Sequence, residues 1–366
     1  MEIIHRILDL ARWAPSGDNQ QPWRFEIRDD HNIRIHAQDT RHHCVYDLEG
    51  HASLLAIGAL LENIRIAASP HQLSPIVRKL GTNLPGAHRW EVEFRSDQAV
   101  PPDPLVAFIP LRTVQRRAMR RRRLTMLEKH ALEAAVGDEY EILWFEGFSE
   151  RLKIAQLLFA SAKLRLTLPE AYATHAAVIE WRSQFSETKV PDQAVGLDPL
   201  STRLMEWALV SWSRVAFLNK FLAGTLLPRL QLDLIPGLAC GAHFWLLAKC
   251  PPQREEDFIQ GGRAWQRLWL TATGLGLGHQ PEMTPLIFGG YARRVICFSA
   301  SPEAMPAAVA LRRKLEHLRT PEISARAIVM ARIGEGPIPR ARSHRRPLSA
   351  LLVRDEGEVL PSTLRD

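Results

Sequence analysis

Cysteine is scarce in this 366-residue chain, and none of the four, Cys44, Cys240, Cys250 and Cys297, is spaced as a redox dithiol or a Cys/His zinc site requires. That pattern predicts buried or free thiols in a reducing compartment and no metal centre. Also missing are a GxSxG elbow, an HExxH helix and a glycine-rich loop between strand and helix, so nucleophile-and-base, zinc-protease and phosphate-loop chemistry have no support. No long hydrophobic run is present. The most apolar region, 205–250, is broken by Arg214, Lys220, Arg229 and Asp233, and no uninterrupted stretch reaches the roughly 20 residues a bilayer needs. The opening "MEIIHRILDLAR" carries charges inside its apolar run and no small-residue cleavage site, which argues against a secretory signal. The expectation is a cytoplasmic protein that makes no membrane contact. Fourteen histidines are scattered, and their densest group, His42 and His43 beside Cys44, reads as surface or core.

The chain does have a composition, 46% hydrophobic, that can bury one large core or two of ordinary size. Its formal charge of +7 is local. Residues 112–123, "RTVQRRAMRRRR", hold seven arginines and no acid, which accounts for the whole excess. A nucleic-acid-tracking face needs basic residues spread along a stripe, so this clustering argues against nucleic acid as partner. It fits a few arginines meeting one compact anion, with Arg120 to Arg123 as a solvated helix face.

Near the start, "IIHRILDLARWA" places Ile4, Ile7, Leu8, Leu10 and Ala11 at helical spacing, and Pro15 closes that helix. The polar stretch "APSGDNQQPW" then connects helix to strand. "RFEIR" and "NIRIHA" alternate as half-buried strands around the turn "DDHN", with Trp23 and Phe25 as core residues. A helix follows over 51–68, then "GTNLPGAH", the strand "RWEVEFR" and a proline-rich boundary, "SDQAVPPDP". Residues 125–250 read as mostly helical, with a polar loop at "SETKVPDQAVGLDPL". A helix over 262–280 ends in glycines, where "GLGLGH" reads as a helix C-cap. "RRVICFSA" and "ARAIVMARIG" read as late strands, and the polar last twenty residues as extended. "GALLENIRIAAS" (58–69) aligns with "GRAWQRLWLTAT" (262–273), setting Gly58 on Gly262, Glu62 on Gln266, Ile64 on Leu268, Ile66 on Leu270 and Ala68 on Ala272. The spacing of 204 residues suits a duplicated domain.

"ILDLARWAPSGDNQQPWRFEI" resembles the opening motif of the nitroreductase family, FMN enzymes with the pattern A-x-x-A-P-S-x-x-N-x-Q-P-W-x-F. Ala11, Ala14, Pro15, Ser16, Asn19, Gln21, Pro22, Trp23 and Phe25 match it. "GRAWQRLWLTATGLGLGHQPEM" is similar to the family's late helix and its Gly-Leu-Gly-x-x-x-Pro turn. "RIGEGPIPRARSHRRPL" is similar to its C-terminal ending. The Arg-x-Ser-x-Arg element that normally opens the family stands mid-chain, as Arg112 to Arg116. That order resembles the Acg-type branch, in which two halves in one chain imitate the family's dimer.

The resemblance implies an α+β fold of two nitroreductase-like halves, each with a mainly antiparallel central sheet flanked by helices. The halves would be 1–105 and 106–366, the second with a helical insertion at about 150–250 as a lid or wall. It implies an FMN-dependent oxidoreductase moving hydride from NADPH or NADH to a small-molecule acceptor such as a nitroaromatic or quinone. The molecule would be a monomer by its intramolecular pseudo-dimer, or a further homodimer. Ser16, Gly17 and Asn19 would meet the flavin edges, and Arg112, Arg116 and Arg345 its phosphate, a dianion that paired guanidinium donors suit. Pro281, Glu282 and Met283 would pass the reactive nitrogen. No side-chain acid or base is implied. Two alternatives stay open: an FMN-sequestering protein without turnover, and an arginine-rich nucleic-acid or partner-binding protein on a decayed fold. Departures from the pattern are Val114 for serine, Ser343 for a basic residue with Arg342 and Arg346 as neighbours, and a turn "PEMTP" lacking Pro-x-Glu-Gly.

Overall fold

Two four-stranded antiparallel sheets follow one plan. In the first, strands Trp23–Ile27, Asn32–Gln38, Leu73–Leu80 and Ala87–Ser96 lie side by side in the order first, second, fourth, third. In the second, Tyr140–Phe145, Ala242–Ala248, Leu277–Pro281 and Ala327–Glu335 lie in that same order. A helix precedes each first strand (Glu2–Ala11 and Met126–Val136), and a long core helix joins each second strand to the third (His51–Ala68 and Glu255–Gly274). The two units differ in what hangs on their connections. Where the first hairpin has a tight turn, the second carries residues 146–241, largely helical. Helices Thr284–Arg294, Ala304–Leu318 and Pro321–Arg326 occupy the connection between its last two strands. The molecule is thus a mixed α+β protein with antiparallel sheets, as expected. This computed structural model describes residues 1–82 and 84–353, so most of the expected extended tail lies outside the described residues.

Patterning explains the first unit. Ile4, Ile7, Leu8 and Ala11 are buried along one face of the first helix. Phe25, Ile35 and Trp90 form one cross-strand row of the sheet's inner face, and all three are buried. In the second unit the central strands are covered on both sides. Phe244 and Leu246 face Leu132, Trp265 and Leu268, whereas Trp245 and Leu247 face Ile154, Phe288 and Leu311. "AHFWLLA" therefore reads as a continuous apolar run, which periodicity does not separate from a helix. That is why strand Ala242–Ala248 lies inside a region expected to be mostly helical; the part-buried edge strand Tyr140–Phe145 also interrupts that region. Other expectations also need correction. "RRVICFSA" is no strand: Arg293 and Arg294 end a helix, Val295 takes a left-handed conformation, and the rest is irregular. The helix expected over 262–280 spans Glu255–Gly274, three acids favouring its N-terminus. Gly276, at φ +71°, follows its C-cap as expected, but strand Leu277–Pro281 comes next. Arg120 to Arg123 lie on an irregular segment, where Arg122 meets Glu128 and Glu335.

The two core helices join the units. His51–Ala68 is apolar nearly all round and, although long enough to cross a membrane, is buried in the interior. A Cβ added to Gly58 would stand 2.0 Å from the carbonyl oxygen of Ile259, and one added to Gly262 2.1 Å from that of Leu55. At a spacing of 204 residues 58 corresponds to 262 and 55 to 259, so each contact is the other with the helices exchanged. The polar contacts exchange in the same way. Glu62 meets Arg267 at 3.1 Å, and Gln266 donates to Asn63 at 2.7 Å. Reciprocal contacts of this kind are what a twofold axis between two copies generates. The tail then crosses back: the Phe25 amide donates to the Leu351 carbonyl at 2.8 Å, and Leu351 is buried in the first core.

Gly58→Ala and Gly262→Ala are each expected to cost about 3 kcal/mol, because backbone must move to admit the methyl group. Gly81→Ala, whose Cβ meets nothing within 4 Å, is the control. Chemical denaturation of the three variants reads the difference.

Candidate functional site

A cavity of about 610 Å³ opens where the two units meet. Leu55 and Ala56 of the first core helix and Trp265 and Trp269 of the second line it, with the loop from Pro15 to Asn19 at one edge. That loop is held in costly geometry. Asp18, Asn19 and Gln21 have φ of 48°, 62° and 49°, a region that costs roughly 1 kcal/mol or more per non-glycine residue. A closed set of hydrogen bonds maintains it. The Gln21 amide donates to Ser16 Oγ at 3.0 Å, Gln21 Nε2 to the Glu187 carbonyl at 2.8 Å, and the Arg346 amide to Gln21 Oε1 at 2.9 Å. Asn19 donates to the Lys189 carbonyl at 3.2 Å and accepts from Arg345 at 2.9 Å. Asn19 and Arg345, both expected against a ligand, therefore line the cavity while spending much of their bonding on each other and on backbone.

The arginines form the electrostatic centre. Arg112 donates to the Trp13 carbonyl at 3.0 Å and lies over the Trp269 ring at 4.5 Å. Arg342 donates to the Pro110 carbonyl at 2.8 Å and lies over Trp13 at 5.2 Å. Arg345 donates to the Ala14 and His344 carbonyls at 2.9 and 2.7 Å. Every one of these acceptors is neutral. Burial, and then repulsion from Arg345 and Arg342, holds Arg112 well below the usual guanidinium range; burial, then Arg342 and Arg12, brings Arg345 down to about 9. The buried Nε atoms of Arg112 and Arg342 have no partner among the described residues. Arg116 sits apart from this cluster. Burial lowers it too, but Asp18 faces it, and its guanidinium donates to the Ala194 carbonyl at 3.2 Å. Burial raises the Asp18 carboxyl against the pull of Arg116 and Arg165.

Eight of the nine residues expected at a site line the cavity: Ser16, Gly17, Asn19, Arg112, Arg116, Pro281, Met283 and Arg345. Glu282 does not. Its carboxylate is turned into the protein, 2.7 Å from His243 Nδ1 and 2.9 Å from an Arg332 terminal nitrogen. His243 Nε2 meets the Gly237 carbonyl at 2.8 Å. Two acceptors require two ring donors, so His243 is the imidazolium, and the Glu282 carboxylate keeps its pKa raised despite burial. Arg332 also donates to the Arg116 carbonyl at 2.7 Å, tying the Pro281–Met283 turn to the arginine segment. Sequence reasoning missed Tyr46, whose hydroxyl lies 3.0 Å from His175 Nε2, and Arg165, both on the cavity wall. It noted Arg342 only as a neighbour. Arg165 and His175 lie on insertion helices Phe148–Thr167 and Pro169–Val178, so the insertion supplies a wall.

No family model matches the chain. Over 369 aligned residues, 94% of this chain and 47% of the other, it is 25% identical to an uncharacterized protein of Mycobacterium tuberculosis (strain CDC 1551 / Oshkosh). Over 93 residues, 25% of this chain and 28% of the other, it is 29% identical to a protein named "Putative NAD(P)H nitroreductase acg" from that strain and from strain ATCC 25618 / H37Rv. The matches span about half, or less, of the length of these curated relatives. Part of the chain is thus similar to part of a protein named as a nitroreductase.

Because the folded state binds the His243 proton more tightly than the unfolded chain, the stability it contributes is complete below about pH 6.5 and is lost as pH rises through the elevated pKa. The slope expected is at most about 1.4 kcal/mol per pH unit. Denaturant unfolding across this range checks it, and His243→Gln is expected to flatten that slope.

Proposed function

We propose that the chain is an FMN-dependent NAD(P)H oxidoreductase of nitroreductase type, with residues 1–105 and 106–366 as two halves packed as an intramolecular pseudo-dimer. The repeated strand order and the reciprocal contacts of the core helices support that organisation. The observation that carries the cofactor assignment is the cluster of Arg112, Arg342 and Arg345 on the cavity wall, where only neutral acceptors meet the guanidinium groups. A phosphate dianion supplies the missing counter-charge. FMN, when bound, carries the redox step, accepting hydride from a reduced nicotinamide nucleotide and passing electrons to an acceptor such as a nitroaromatic or quinone.

This chain's own residues bind and orient. Arg112, Arg342 and Arg345 hold the phosphate, and Arg342 takes the role of the basic residue replaced by Ser343. Ser16 Oγ accepts from Gln21, which leaves its O–H free to donate toward the cavity. Gly17 has open space beside it, since a Cβ there would meet nothing within 4 Å. Asn19 and Gln21 hold the loop in shape. Glu282 acts from behind, fixing the Pro281–Met283 turn through His243 and Arg332.

The test is the visible spectrum of purified protein with added FMN, followed by anaerobic NADPH and then NADH. Bound flavin that bleaches is the expected outcome; bound flavin that persists favours sequestration, and no binding overturns the reading. Arg112→Gln and Arg342→Gln are each expected to weaken FMN binding about 10- to 100-fold, a charged hydrogen bond being worth about 1.5–3 kcal/mol. Gly17→Leu is expected to weaken binding without changing Tm. Fluorescence titration beside thermal melts separates the two effects.

A further inference from the structure

A second cleft, of about 990 Å³, adjoins the first and shares Val114, Arg116 and Ala341 with it. It lies between the arginine segment, the helix Pro199–Ala208 and the stretch from Pro337 to Ala341. Arg117, Arg182, Arg203 and Arg340 line it, and all four are exposed. The two carboxylates in its wall are already engaged. Asp192 accepts the backbone amides of Arg182, Ser183 and Gln193 at 3.0, 3.0 and 2.8 Å, and Glu206 pairs with Arg182 at 3.1 Å. Arg117, Arg203 and Arg340 have no side-chain hydrogen bond or ion pair among the described residues. An ordinary solvated surface mixes charges of both signs; here three exposed arginines line one concavity whose two carboxylates are engaged elsewhere. Beside them the cleft wall is apolar, with Pro199, Pro339 and Ile338, the last 89% exposed.

Unpaired guanidinium groups beside an apolar wall suit a ligand with a dianionic group on a flat, uncharged body. We propose that this cleft binds an adenine nucleotide through a phosphomonoester, either the 2′-phosphate end of NADPH or a free adenosine phosphate. The first source rests on the oxidoreductase reading above, because it places the nicotinamide end of the same molecule in the adjoining cavity. The second does not.

The experiment titrates FMN-loaded protein with adenosine 2′,5′-bisphosphate and with adenosine 5′-phosphate by calorimetry, and measures KM for flavin reduction by NADPH and NADH. The bisphosphate is expected to bind at least tenfold more tightly than the monophosphate. Arg203→Glu and Arg340→Glu are each expected to weaken it at least tenfold, whereas Arg121→Glu, the same charge change outside the cleft, leaves it intact. A lower KM for NADPH than for NADH that disappears in Arg203→Glu identifies the donor as the ligand. Equal donors with bisphosphate binding still lost in Arg203→Glu identify a free nucleotide. If neither donor reduces the flavin while that binding persists, the oxidoreductase reading falls and the cleft assignment stands. Failure of both nucleotides to bind, or equal weakening by Arg121→Glu, overturns the proposal.

Discussion

The backbone-to-backbone approach of the two core helices at Gly58 and Gly262 is the constraint on which the remaining structure depends. No side chain fits there, so the helices meet at a distance set by main-chain atoms alone, and two sheets of identical strand order are placed by that single crossing. The residues flanking the crossing then have a second task. Leu55, whose carbonyl abuts Gly262, also lines the cavity, as do Trp265 and Trp269 within two turns of Gly262 on the partner helix. The position of the cavity is therefore a consequence of how the two units are joined.

Three cationic groupings, each gathered around at least one buried group, show how differently one type of side chain is used. Glu62 is shared among Arg65, Arg263 and Arg267, and Glu282 between His243 and Arg332; both carboxylates neutralise their neighbours and stiffen the join between elements. Arg112, Arg342 and Arg345 have carbonyl oxygens and aromatic faces instead. Holding charge in such surroundings is unfavourable unless an anion completes it. The contrast lies in the partners each arginine finds, and it separates groups that brace the fold from groups arranged to receive a ligand.

Much of this was legible in the chain before folding. Local elements with strong periodicity, such as the first helix and the hairpin of Trp23 and Phe25, appear where the pattern puts them, and the weak match of 58–69 to 262–273 turns out to identify the two faces that meet. The strand "AHFWLLA" was not legible, because burial on both sides erases alternation. At the site, the loop was marked by its resemblance to a family motif and the arginine segment by its composition, yet the division of labour was not marked by either. Asn19 and Arg345 bond to each other across 326 residues of sequence, Glu282 turns away from the cavity, and Arg342 turns toward it.

The sequence by itself determined which residue types were available, the periodic elements, the local excess of arginine and the absence of metal-spacing or nucleophile motifs, because each is a property of near neighbours along the chain. Only the tertiary structure decided which arginines go without a carboxylate, which glycines touch and which polar groups face the cavity. Those outcomes depend on contacts between segments 99 to 331 residues apart, whose energies exist only once the two units have packed.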